Sequence, residues 1–274
     1  MRTRIAPTPS GLLHAGNALN FLLVEELARR TGARILLRID DLDADRAHPA
    51  CVADIFRVLR LLGITWHEGP RDPEDLRTRW SQGLRLGRYH ALIDELVGAG
   101  AVFACTCSRS TAAACQCASL DRPPSQPDSS LRLRTRNSGT VVAIGPDGSR
   151  RELEPHALMP EPVIRRRDGL PAYQVASLAD DLDHGIDLIV RGEDLLPSTA
   201  TQLLMARSIG RHAFMDARFV HHPLRTDAVG RKLSKSTPTG TPMGLDPSAA
   251  ELASWRDWTY AQADRALGVT GLRP

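Results

Sequence analysis

Three groups of residues in this 274-residue chain have the types and spacing to do chemistry. The first is the stretch Lys232-Leu233-Ser234-Lys235-Ser236. Of the 35 basic side chains, 33 are arginine and two are lysine, and both lysines lie here. Arginine replaces lysine at ordinary surface positions but not where a compact, mobile ammonium is needed, so the pair reads as functional rather than as a basic turn. With Gly230 and Gly240 on either side, it makes a flexible cationic loop able to close on a polyphosphate and stabilise charge at an attacked α-phosphate. The second group is PTPSGLLHAGN, residues 7–17, between a strand and a helix. A glycine-bearing loop there lets the backbone approach a phosphate, and the helix start favours its negative charge. Pro9, Gly11, His14, Gly16 and Asn17 are the candidate nucleotide contacts on this side, Ser234 and Lys235 on the other. The third is Cys105, Cys107, Cys115 and Cys117. Adjacent C-x-C pairs staple a fold poorly, whereas two of them separated by seven residues can close around one tetrahedral metal, a structural site of four thiolates with no open position. Four free or redox-active thiols are the alternative. Cys51, alone on an amphipathic stretch, reads as packing.

These groups need a scaffold to meet. RTRIA reads as a short strand, residues 17–30 as an amphipathic helix stopped by Thr31-Gly32, and RILLRI as a buried parallel strand. Pro49 opens a second helix ending at Gly63, and a third spans 84–97. That β-α-β-α order predicts an α/β fold, a Rossmann-type doubly wound parallel sheet, whose first half is residues 1–100. Residues 101–162 change character, with the cysteines, a proline-rich loop and short alternating runs around a PDG turn; they predict an inserted small α+β subdomain with antiparallel strands. The second half, 163–245, resumes the alternation, with IDLIV as a buried strand and a helix capped by Ser198, and 246–274 is a helical tail. A net charge of +3 neither announces nor excludes a nucleic-acid partner, and arginine-rich stretches such as RLRTR and Arg165-Arg166-Arg167 fit phosphate contact or paired strand arginines equally. No apolar run reaches about 18 residues, which argues against a membrane span, and the first residues lack a signal-type apolar region, so a cytoplasmic protein is expected.

In this order and roughly 220 residues apart, HAGN and KLSKS resemble the HIGH and KMSKS signatures of class I aminoacyl-tRNA synthetases. RIAPTPSGLLHAG, LLRIDDLD, RRRDGLPAYQVASLADDLDHGIDLIVRGEDLL and KLSKS match the blocks of the glutamyl branch in sequence, over most of the chain outside 101–162 and the tail. Only 38 residues follow KLSKS, too few for that branch's anticodon-binding region. With the C-x-C cluster, the chain therefore resembles the truncated glutamyl-queuosine tRNA(Asp) synthetases. The resemblance implies activation of glutamate by ATP and Mg2+ without tRNA, then transfer to the queuosine base in the tRNA(Asp) anticodon, by a monomer carrying structural Zn2+. It places the glutamate pocket on Arg4, Thr8, Asp40, Tyr173 and Arg191, and catalysis on His14, Asn17, Lys232 and Lys235. Three positions depart from the branch: Asp40 stands for Glu, Asn17 for the second histidine of HIGH, and Thr8 for Ser. The family's C-x-C is followed by Tyr and a later Cys, whereas a second C-x-C stands here. Two other readings stay open: a synthetase-like ligase that passes the activated amino acid to a small molecule, which the Asp40 change suits, and a noncatalytic paralogue, which the two retained lysines argue against.

Overall fold

Short strands that are apolar on both faces must be covered twice, and the computed structural model shows how. It describes residues 1–43, 47–108, 115–120, 122–224 and 244–269. In chain order the strands and α-helices are β1 (Arg2–Ile5), α1 (Ala15–Thr31), β2 (Arg34–Leu37), α2 (Pro49–Leu61), α3 (Pro73–Asp75), α4 (Leu86–Gly98), β3 (Val102–Cys105), β4 (Ser130–Leu133), β5 (Val141–Ile144), β6 (Arg150–Leu153), α5 (Pro155–Leu158), β7 (Val163–Arg165), α6 (Tyr173–Asp183), β8 (Leu188–Gly192), α7 (Leu196–Ser208), α8 (His212–Met215), β9 (Arg218–His222) and α9 (Ala249–Leu267).

The main sheet has the order β2-β1-β8-β9-β5-β6, parallel except for β6. Successive strand residues turn to opposite faces. Ile35, Leu37, Leu188, Val190 and Val220 pack against Leu23 and Leu27 of α1, Ile55 and Leu59 of α2 and Trp255 of α9. Leu36, Ile189 and Phe219 pack on the other side, with Leu92 of α4, Leu178 of α6 and Leu203 of α7. Each such side chain withdrawn from water contributes about 1.5–3 kcal/mol, so the two cores hold the helices to their faces. This is the doubly wound sheet expected from the sequence. The chain leaves β1 for β2 on one side and returns to β8 on the other, so the strand order reverses at β1, and a crevice opens between the carboxyl ends of β1 and β8.

Helix ends follow local chemistry. Gly32, at φ 68°, closes α1 in the left-handed conformation that glycine adopts without penalty. Ser248 and Glu251 form a reciprocal capping box on α9. Ser198 is not the cap of α7: a single 3-10 turn, Glu193–Leu195, leads in, Leu195 is the cap residue, and Ser198 is buried inside the first turn. The fixed φ of Pro197 suits the first turn of the helix and displaces the start by three residues.

The strands of residues 101–162 divide between two sheets. β3 and β4 pair antiparallel and are joined by β7 from beyond that segment, in the order β3-β4-β7. The β5–β6 hairpin instead extends the edge of the main sheet through the Ile144–Arg218 bridge. Among the described residues, no helix is long and apolar enough to cross a membrane.

Candidate active site

A cleft of about 450 Å³ occupies the reversal point of the sheet. Its inner end is cationic. Arg4, on β1, and Arg191, at the end of β8, both line the cleft although each is 3% exposed. Asp181 Oδ1 accepts from Arg4 Nε at 3.1 Å, and the Val190 carbonyl accepts from Arg4 Nη1 at 3.2 Å. Arg191 donates through Nη1 to Gln202 Oε1 at 2.8 Å, while its Nε and Nη2 are buried and have no partner among the described residues. Burial, with the Arg4 and Arg38 cations nearby, brings the Arg191 guanidinium down to about 10. A buried donor without an acceptor is costly, and two on one guanidinium present the fork that a carboxylate fits. Behind this end, burial and the Arg191 cation push His221 down to about 3, so its ring is neutral; it lies 2.8 Å from Thr199 Oγ1.

The start of α1 forms the next part of the wall. His14 is the cap residue: its Nδ1 accepts from the Gly16 N–H at 3.1 Å, and Asn17 Oδ1 accepts from the His14 N–H at 3.1 Å. Two side chains expected at the phosphates therefore hold each other at the helix mouth. Gly16 permits this packing, since a Cβ there would lie 2.9 Å from the His14 ring. No acidic residue occupies the first turn, so nothing in it opposes an anion. The loop before α1 is anchored by Asp54 on α2, whose Oδ2 accepts from the Leu13 N–H at 2.8 Å.

Thr8, Tyr173, His14, Gly16 and Asn17 thus meet Arg4 and Arg191 on one cleft. Pro9 and Gly11 lie in the same loop but off the cleft wall. Asp40 is not brought there either. Arg38, two residues before it, donates from Nε at 2.7 Å and from Nη2 at 3.2 Å to its two oxygens. A buried carboxylate needs a partner at once, and the cation two residues away supplies it in place of a substrate ammonium. Burial pushes Asp40 up to about 6 despite Arg38, and Asp180 and Asp181 add to the rise. Lys232, Ser234 and Lys235 lie outside the described residues.

The sequence did not mark four other features. Asp181 holds both Arg4 and Arg38, the latter at 2.8 Å. Asp194, His222 and Trp258 line the cleft. Asp194 lies in the Gly192-Glu193-Asp194 run, but nothing in periodicity sets it apart.

The four cysteine sulfurs lie within 4.8 Å of one another, with Cys105–Cys115 and Cys107–Cys117 both at 3.6 Å. A tetrahedron with metal–sulfur bonds of about 2.3 Å has edges of about 3.8 Å, so the set fits one metal ion. Arg122 Nη1 donates to Cys117 Sγ at 3.3 Å, and the Cys117 N–H to Cys115 Sγ at 3.4 Å. Such donors favour thiolate and orient the ligands. Arg167 Nη2 ties the turn down through the Thr106 and Cys107 carbonyls, at 2.9 and 3.2 Å.

Sheet and cleft together define a Rossmann-type α/β domain with an arginine-lined crevice at the reversal of its strand order. Residues 1–132 and 121–239 match the family described as tRNA synthetases class I (E and Q), catalytic domain. The chain is 34% identical over 283 residues to the glutamyl-Q tRNA(Asp) synthetase of Burkholderia mallei, covering 98% of this chain and 88% of that one. It is 34% identical over 250 residues to the glutamate–tRNA ligase of Anaeromyxobacter sp., covering 85% of this chain but 52% of the relative, so it spans about half the length of that protein. The solved glutamate-tRNA synthetase of Elizabethkingia anophelis shares the fold, with a TM-score of 0.71 at 22% identity over 86% of this chain and 52% of that one. The chain belongs to the class I tRNA synthetases of the glutamate and glutamine branch, a family of ATP-dependent aminoacyl ligases, and within it to the group of the glutamyl-Q tRNA(Asp) synthetases.

Proposed function

We propose that this chain activates glutamate with ATP, without tRNA, and transfers the glutamyl group to the queuosine base of the tRNA(Asp) anticodon. One observation carries the reading: Arg191 offers two buried donors, unpartnered among the described residues, in the same cleft as the mouth of α1. A dicarboxylate amino acid fits the arginine end and a polyphosphate the helix end. The lengths support the acceptor, since the chain covers 88% of the Burkholderia mallei glutamyl-Q tRNA(Asp) synthetase but 52% of the Anaeromyxobacter glutamate–tRNA ligase.

In this mechanism Arg4 and Arg191 hold the side-chain carboxylate, with Thr8 and the Tyr173 hydroxyl completing the pocket. The α-carboxylate oxygen attacks the α-phosphorus of ATP in line, and pyrophosphate leaves with its magnesium. His14, Asn17 and the α1 mouth hold the phosphates, while Lys235, assisted by Lys232, neutralises the charge that develops. A queuosine hydroxyl then attacks the adenylate carbonyl and AMP departs. Positioning and charge stabilisation supply the acceleration, so no strong base is required. The Cys105, Cys107, Cys115 and Cys117 thiolates would hold Zn2+ in a structural role, remote from these steps. The chain acts in the cytoplasm as a monomer.

The test is ATP–pyrophosphate exchange across the standard amino acids with no tRNA present, then charging of queuosine-containing tRNA(Asp). Exchange with glutamate followed by charging is expected. Exchange with another amino acid would favour the small-molecule ligase, and silence with every amino acid a paralogue without activity.

A further inference from the structure

The cleft has a third sector, which neither the arginines nor the mouth of α1 uses. Asn20 on α1, His222 at the end of β9, Leu224 just beyond it and Trp258 on α9 form its wall. Asn17 and Asn20 are three residues apart on α1, so this sector starts about 5–6 Å from the phosphate end. The wall is aromatic and carries no cation among these four residues. His222 Nε2 lies 3.1 Å from Asn20 Oδ1, burial lowers its pKa so that the ring is neutral, and the indole of Trp258 stands edge-on to it at 5.5 Å and 87°.

Trp258 is held there from several directions. Trp255 and Thr259 on the same helix are buried. Arg30 on α1 pairs with Asp264 at 2.5 Å, and the Ser248–Glu251 box fixes the start of α9. Just before it, the Leu245 carbonyl accepts from Arg57 Nη1 at 2.9 Å, and Arg57 is clamped by Asp54, the residue that also holds the phosphate-facing loop. A partly exposed indole fixed in the same cleft as the mouth of α1 provides what a nucleotide base requires: a flat, rigid, apolar face.

We propose that α9 completes the nucleotide site and that the purine of ATP packs against Trp258. This inference rests on the ATP chemistry proposed above and assigns the C-terminal helix a binding role. Stacking of a base on an aromatic side chain predicts that Trp258→Ala raises the KM for ATP about 5- to 100-fold, with the KM for glutamate unchanged. Trp258→Phe, which keeps an aromatic face, is expected to recover much of that loss. Trp258 is the tryptophan that lines the cleft, so adenosine should quench wild-type fluorescence and quench Trp258→Phe much less. An unchanged ATP KM in Trp258→Ala, or equal rises in both KM values together with a fall in Tm, would overturn the inference while leaving the ATP chemistry intact. Adenosine quenching that depends on Trp258 in a chain without exchange activity would sustain the inference and sink the aminoacyl reading.

Discussion

Two arginines line the inner end of the cleft and a third, Arg38, is linked to Arg4 through Asp181; their surroundings give each a different task. Arg38 is fully engaged by Asp40, Asp181 and Ser177. Arg4 is half engaged by Asp181, and Arg191 keeps two donors without acceptors among the described residues. Arg191→Lys keeps a charge but loses the fork, and a glutamate KM at least about 10-fold higher is expected in the exchange assay; a KM within twofold of wild type would detach this residue from the amino acid. Asp40 gives a pH prediction. The folded chain binds its proton near 6 and the unfolded chain near 3.8, so this group adds stability as the pH falls through 6 and has added all of it below 3.8. Relative to Asp40→Asn, the wild type should gain up to roughly 3 kcal/mol between about pH 7 and pH 4, read from denaturant unfolding at each pH. A flat difference would place the carboxylate in a more solvated setting. Arg4 and Arg191 were legible as forks on the two strands that border the crevice, whereas Arg38, just past β2, was not singled out. The pairing of Asp40 was not legible, because spacing puts Arg38 and Asp40 on the same side but cannot say that the cation engages the carboxylate.

Helix starts carry much of the geometry. At α1, Gly16→Ala should separate binding from stability. Alanine favours the helix by up to about 1 kcal/mol, but its Cβ would meet the His14 ring at 2.9 Å and push it from its capping position. The expected result is an unchanged or slightly raised Tm with ATP affinity down about tenfold; full ATP affinity would show that His14 need not stay put. At α9, Ser248→Ala should cost about 1 kcal/mol in unfolding experiments, through loss of the reciprocal cap. These elements were legible from apolar periodicity and from punctuation by proline and glycine. The start of α7 was not, because Ser198 and Pro197 compete as signals and the proline wins. Trp258 escaped notice for a related reason: one tryptophan on a helix with Trp255 three residues before it reads as core, and only the packed structure shows which of the two reaches the cleft.

On the scale of the molecule, the cysteine turn and the cleft are separate. No described residue of 101–162 lines the cleft. One zinc per chain is expected by elemental analysis, and its removal by chelation should loosen the β3-β4-β7 sheet while glutamate-dependent exchange stays within about twofold. A parallel collapse of exchange would show that the two halves are coupled. The strands of this region were legible as short alternating runs, but their partners were not, since alternation in sequence does not name the strand across the ladder. That unforeseen partnership limits how the chain could be recombined with its relatives. Residues 101–162 look like a cassette, yet lifting them out would remove two strands from the catalytic sheet, together with Val141, Ala143 and Leu153 from its core, and would leave β7 behind without β4. A chimaera cut at those borders would exchange two of the six strands of the main sheet and two of the three strands of the smaller one. A viable crossover must leave the β5–β6 hairpin with its host and carry β7 with the graft, so this segment is inherited as interleaved pieces rather than as a module.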